Sequence, residues 1–212
     1  MRETSMCYAN RLGLALALLF ATLCLGACSI LPKSEVVAME RFTLDVPAPE
    51  IKAARADAPV LLVARPQART DLDTPRMAYR RQDYQLEYFA RSRWADAPPQ
   101  LLVPGLVEAL EASGRFAAVV RVGSPATPAL RLDSELLEFS QDFRVEPSVF
   151  QLRLRAQLVD LRTRRVLATR IFAVDQPASA ASAYGGAQAA NAAWQSMLPE
   201  LIAFCAAALP AA

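Results

Sequence analysis

The most regular hydrophobic pattern in the chain lies in VFQLRLRAQLVD (149–160). Phe150, Leu152, Leu154, Ala156 and Leu158 share one face, and Gln151, Arg153, Arg155 and Gln157 share the other. Alternation over this length predicts a strand with one buried and one wet face. Upstream, ALRLDSELLEF (129–139) alternates in the same way until Leu136-Leu137, where the phase slips as at a β-bulge. Antiparallel pairing of these segments would set Asp133 and Glu135 beside Arg153 and Arg155. Each good pair of that kind contributes about 0.2–1 kcal/mol. LRTRR then turns the chain into VLATRIFAV, the third strand of a meander.

Shorter elements precede the meander. RFTLDV (41–46) predicts a first strand, and PVLLVARP (59–66) a short apolar strand bounded by prolines. RMAYRR and YQLEYFA, separated by Gln82-Asp83, pair as a hairpin. The period then turns helical in DAPPQLLVPGLVEALEASGRF: Asp96 is placed to cap, Pro98 and Pro99 open the helix, and Gly114 stops it. Leu102, Leu106, Val107 and Leu110 make one apolar stripe, while Pro104 predicts a kinked or delayed start. RFAAVVRV follows as a strand. The last segment, SAYGGAQAANAAWQSMLPELIAFCAAAL, is an alanine-rich helix starting near Gly185-Gly186 and kinked or broken near Pro199. Its stripe runs through Ala190, Trp194, Met197, Leu198, Leu201 and Ile202. Strands, helix, strands, helix in that order predict an α+β fold: a mostly antiparallel sheet with two main helices packed on one face.

The N-terminus has a different logic. Arg2 and Arg11 precede an apolar run from Leu12 to Leu25, and Gly26 and Ala27 are small. This is the make-up of an export signal, and the run is shorter than the roughly 20 residues a membrane span needs. It ends in LGAC, which resembles the bacterial lipobox: Leu25, Gly26 and Ala27 precede Cys28, whose thiol would carry the lipid. Cleavage before Cys28 divides the chain into a signal peptide (1–27), a lipidated cysteine with a short tether (28–40) and a single domain (41–212). Stable anchoring takes two or more fatty chains, and bacterial lipoproteins resemble that case, with three. Ser29, not aspartate, follows the cysteine. By resemblance to lipoprotein sorting, this implies delivery to the outer membrane. At ~3.3 Å per residue the tether reaches about 40 Å at most, so the domain hangs close beneath its membrane.

Composition narrows the chemistry. A hydrophobic content of 54% is enough for one domain with a real core. Loss of Arg2, Arg11 and Glu3 with the leader leaves 21 basic and 20 acidic residues, and no block of like charge points to nucleic acid. The chain has no histidine, which excludes His-based triads and His-ligated zinc. Ser140, Ser148, Ser179 and Ser182 therefore lack a histidine base, and the two lysines of the mature chain, Lys33 and Lys52, fall in tether and loop. No catalytic set and no metal site emerge, so the expectation is a protein that is not an enzyme. Cys28 and Cys205 are the cysteines left after cleavage, and once Cys28 is lipidated Cys205 packs as a small hydrophobe. Trp94, flanked by Arg91, Arg93 and Asp96, reads either as a wedge between strand and helix or, with Arg93, as a partner contact. Glu138 reads as an outer-face charge, and Arg153 and Arg155 as a solvated basic row within reach of lipid head groups.

A family resemblance spans essentially the whole chain. The lipobox is followed by RFTL, then by MAYRRQDYQLEYFARSRWADAPPQLLVPGLVEALEASGRF, then by LRLDSELLEFSQDF with its Glu-Phe, a hairpin and a tryptophan-containing terminal helix. This order resembles the ABC-type transport auxiliary lipoprotein family, which includes the paraquat-inducible protein C lipoproteins. The resemblance implies a non-enzymatic lipoprotein without cofactor, lipid-anchored in the outer membrane and facing the periplasm. It implies a mammalian-cell-entry-domain protein as partner, conducting lipids between the two membranes with an inner-membrane permease and ATPase or another integral membrane protein. It further implies a fold similar to the N-terminal domain of the Tol-system periplasmic protein, and is compatible with a homo-oligomeric ring. A lipoprotein regulator of peptidoglycan synthases is the alternative, against which the short tether argues.

Overall fold

The structure is a computed structural model that describes residues 38–47, 50–54 and 57–209. Its longest strands include both segments where alternation was read. The strands β7 (Leu130–Asp142), β8 (Val149–Asp160) and β9 (Arg165–Pro177) form the expected antiparallel meander. In β8 the residues Leu152, Leu154, Ala156 and Leu158 are fully buried. The ladder between β7 and β8 shifts register between Leu136 and Glu138, where the sequence pattern slips. One extra residue there returns Phe139 to the buried face that Leu132 and Leu136 occupied before it.

The other edge of β7 carries three short strands in succession. Residues 130–132 pair with β2 (Val60–Val63), 135–136 with β3 (Gln67–Ala68), and 140–142 with β4 (Arg76–Arg80). Beyond them, β6 (Ala118–Arg121) extends β2, and β5 (Glu87–Trp94) with β1 (Glu40–Phe42) extends β4. Five of these eight pairings are parallel, all of them short, so the sheet is mixed and not purely antiparallel, while the long ladders of the meander keep most of its paired residues antiparallel as expected. Alternation tells which face of a strand is buried and nothing about its direction relative to a distant neighbour. The expected hairpin is present as β4 and β5, while the first strand shortens to three residues.

Helix α1 (Pro98–Ala112) runs continuously through Pro104, without the delayed start. Its N-cap is Ala97, not Asp96. The two prolines at the start remove the N–H groups a capping carboxylate would serve, and Asp96 instead accepts a hydrogen bond from the Ala97 amide at 2.7 Å. Gly114 stops the helix as expected, with φ +65°, a conformation that favours glycine. Helix α2 (Ala183–Ala207) also continues through its proline, Pro199. Ser182 caps it, accepting from the Gly185 amide at 3.1 Å. A Cβ at Gly186 would collide with the Gln141 side chain, so the first turn of α2 sits directly on the end of β7.

Both helices join one core with the sheet. Ala187, Ala190 and Ala193 are buried, and small side chains let α2 lie close on β8 and β9. Phe172 and Phe204 meet edge to face at 5.6 Å. Cys205 is buried and free, and burial pushes its thiol pKa up to about 12. Trp94 packs on Phe139 at 5.1 Å and on Phe150 at 6.3 Å, and Trp194 is buried as well. Replacing Trp94 by Ala should lower unfolding free energy by about 3–5 kcal/mol in urea titrations, the cost of emptying an aromatic site in a close-packed core.

Candidate functional site

The lipobox residues Leu25, Gly26 and Ala27, together with Cys28 and Ser29, lie outside the described residues, as does most of the tether. The described chain begins at Ala38 and is at once held to the fold. β1 pairs with β5, and the next three residues are gripped by two amide side chains of α2. The Asp45 amide donates to Asn191 Oδ1 at 2.7 Å, Asn191 Nδ2 donates to the Thr43 carbonyl at 3.0 Å, and Gln195 Nε2 donates to the Asp45 carbonyl at 2.9 Å. Asn191 and Gln195 had not been singled out from sequence. The available signal was two amides four residues apart, on one side of a helix otherwise rich in alanine.

The two residues proposed together as a partner contact are separated by the strand they share. Trp94 is 2% exposed and faces the core, which is the wedge reading; as a contact it has no surface to offer. Arg93 lies on the opposite, exposed face of β5. There it is in register with Arg41 of β1 on one side and Arg76 of β4 on the other, and Arg91 lies two positions back on the same face. Arg76 stacks over the Tyr88 ring at 3.7 Å. Among the described residues none of these four arginines forms an ion pair. Nearby acids are engaged elsewhere: Glu40 accepts from the Ser92 hydroxyl, Asp71 holds Arg69, and Asp73 holds Arg65.

The basic row expected on β8 is neutralised by contrast. Arg155 pairs with Glu135 at 2.8 Å, as the register implied, but Arg153 turns to Asp175 of β9 at 2.8 Å and leaves Asp133 to Arg131. A cavity of about 380 Å³ opens on this wet face, lined by Arg65, Arg131, Asp133, Glu135 and Arg155. Glu138 is half-shielded against Arg80 at 3.2 Å and accepts from the Ser140 hydroxyl. Asp142 is held below the usual carboxylate range, first by its hydrogen bonds with the Arg144 guanidinium. Ser148 accepts from Gln141, Ser179 donates to Gln188, and Ser182 is the helix cap. No cluster of potential metal ligands occurs among the described residues, and no helix among them is long and apolar enough to cross a membrane. A second, larger concavity of about 760 Å³ lies between the C-terminal end of α1 and α2, with Val46, Ala109, Leu198 and Ile202 among its walls.

The family model for the ABC-type transport auxiliary lipoprotein component matches residues 42–201. The chain belongs to this family. The match runs from the last residue of β1 into α2, and so takes in strands β2 to β9, all of α1 and most of α2. No curated protein matches the chain. Among solved structures it is similar to protein XCC0632 of Xanthomonas campestris, with 26% identity, a TM-score of 0.72, and coverage of 79% of this chain and 95% of that one. A second similar structure, an uncharacterized protein, is 14% identical with a TM-score of 0.62 over 79% of this chain and 99% of its own. That second likeness is one of fold alone. As a member of the auxiliary lipoprotein family, the chain is a lipoprotein that serves an ABC-type transporter.

Two outcomes follow from this geometry. Asn191→Ala removes both of that residue's bonds to 43–45 and should cost about 1–3 kcal/mol, with faster hydrogen exchange at the Asp45 amide. Cys205 should stay unreactive toward a thiol reagent at pH 8 until the protein is unfolded, because burial keeps the thiol protonated in the native state and unfolding returns it to the ordinary range.

Proposed function

We propose that the chain is an outer-membrane lipoprotein, anchored through acyl groups on Cys28 and facing the periplasm. In this role it acts as the non-enzymatic accessory of a transport system built around a mammalian-cell-entry-domain protein that moves lipids between the two membranes. The observation that carries the reading is the family match over residues 42–201, directly downstream of a lipobox-like LGAC at 25–28. Ser29 supports the outer membrane as destination. The acyl chains fix where the domain lives, the short tether keeps it within about 40 Å of the bilayer, and its free surface docks the end of the partner tube. Several copies in a ring would align that conduit with the membrane.

The reading is tested in two steps. Cys28→Ala should leave an unprocessed precursor in the inner membrane, read by fractionation and intact mass; a mutant still cleaved and delivered to the outer membrane contradicts the anchor. Affinity purification of the intact lipoprotein from membranes should recover a mammalian-cell-entry protein with its permease and ATPase or another integral partner. Their absence contradicts the accessory role.

A further inference from the structure

The exposed face where the chain enters the fold differs from the wet face of the meander. On the wet face of β7, β8 and β9, the arginines are matched by acids, as in the pairs Arg155–Glu135, Arg153–Asp175 and Arg131–Asp133. On β1, β5 and β4 the directly opposed residues are Arg41, Arg93 and Arg76, three like charges in one row, with Arg91 beside them. Like charges placed directly across strands destabilise a sheet, and none of the four forms an ion pair among the described residues. A local conflict of this kind, three opposed guanidinium groups with no ion pair among them, marks a place where a compensating charge from outside would be favoured. Guanidinium groups in a planar row suit phosphate oxygens, each taken by a fork of N–H donors.

The position of the row says which phosphate. Arg41 lies in the first described strand, three residues after Ala38 where the described chain begins, and the exposed Met39 lies between them. Ala38 lies ten positions after Cys28, a reach of at most about 33 Å at ~3.3 Å per residue. The row therefore belongs to the part of the domain nearest its own anchor along the chain. We propose that Arg41, Arg76, Arg91 and Arg93 form a seat for the phosphates of anionic phospholipids in the membrane that holds the anchor, fixing how the domain faces the bilayer. This rests on the lipid-anchored reading above and adds an orientation to it.

The test uses the intact lipoprotein in nanodiscs of phosphatidylcholine with or without 30% phosphatidylglycerol, as ~8 Å screening at physiological salt still allows contact-range attraction. Arginine side chains are modified with phenylglyoxal and mapped by mass spectrometry. Modification of the four arginines should slow at least threefold in the anionic discs, and the slowing should vanish in 0.5 M salt. In the double variant Arg91→Gln with Arg93→Gln, Arg41 and Arg76 should lose that protection while the protein melts no lower than its parent, since like-charge crowding is relieved. Equal modification in both discs, or protection unchanged in the double variant, overturns the proposal. So does equal protection by inorganic phosphate added to the phosphatidylcholine discs, which would mark a free-anion site. If the double variant keeps its lipid response but no longer recovers the transporter, the row faces an acidic protein surface and the proposal also falls. Loss of the lipid response with transporter recovery intact supports it, and failure of transporter recovery in the parent bears on the accessory role alone.

Discussion

The fold depends on one strand bonded along both of its edges. β7 gives one whole edge to β8 and divides the other among β2, β3 and β4. A backbone buried in this way must place every N–H and C=O in a ladder, and thirteen residues of β7 supply enough of them to join a long meander to three short ladders. The bulge after Leu136 is what makes the division workable. It falls between the segment that pairs with β3 and the segment that pairs with β4, and it lets the buried face continue through Phe139 after the phase change. Fully buried Leu132, Leu136, Leu152 and Leu154 then present one apolar surface, on which an alanine-rich helix can lie closely.

Attachment of the N-terminal segment follows from that helix. β1 contributes only three paired residues, too few to hold a chain end by itself. Asn191 and Gln195 extend the attachment by reading the backbone of residues 43–45 as another strand would, with an amide donor and an amide acceptor. With the lipid anchor proposed at Cys28, any pull on the domain would enter at this point, where the grip on 43–45 and the ladder to β5 hold the chain. The family match, which begins at residue 42, starts within this attachment.

Electrostatics separates the two halves of the wet surface. Ion pairs at partly exposed sites are individually worth little, yet their distribution carries information. On the meander's wet face Arg131, Arg153 and Arg155 each pair with an acid, whereas Arg41, Arg76, Arg91 and Arg93 form no ion pair among the described residues. The first is matched within the fold; the second is the surface for which an outside anion is proposed.

What the sequence by itself determined was everything carried by local periodicity. The span of β8, the slip at Leu136-Leu137, the three-strand meander, the β4–β5 hairpin and both helices follow from patterns within a few residues of each other. The same holds for the glycine stop at Gly114 and the core character of Trp194 and Cys205. The lipobox-like reading of LGAC rests on adjacent residues in the same way and lies outside the described residues. Tertiary structure decided what depends on distant partners. Parallel pairing of β2, β3 and β4 with β7 leaves no mark on alternation, because a strand buries the same face whichever way its neighbour runs. The pairing of Arg153 with Asp175, the burial of Trp94, and the gathering of Arg41, Arg76 and Arg93 into one row arise only when segments separated by loops are brought into register. Charges that look evenly mixed along a chain sort themselves into matched and unmatched surfaces only once the strands have chosen their neighbours.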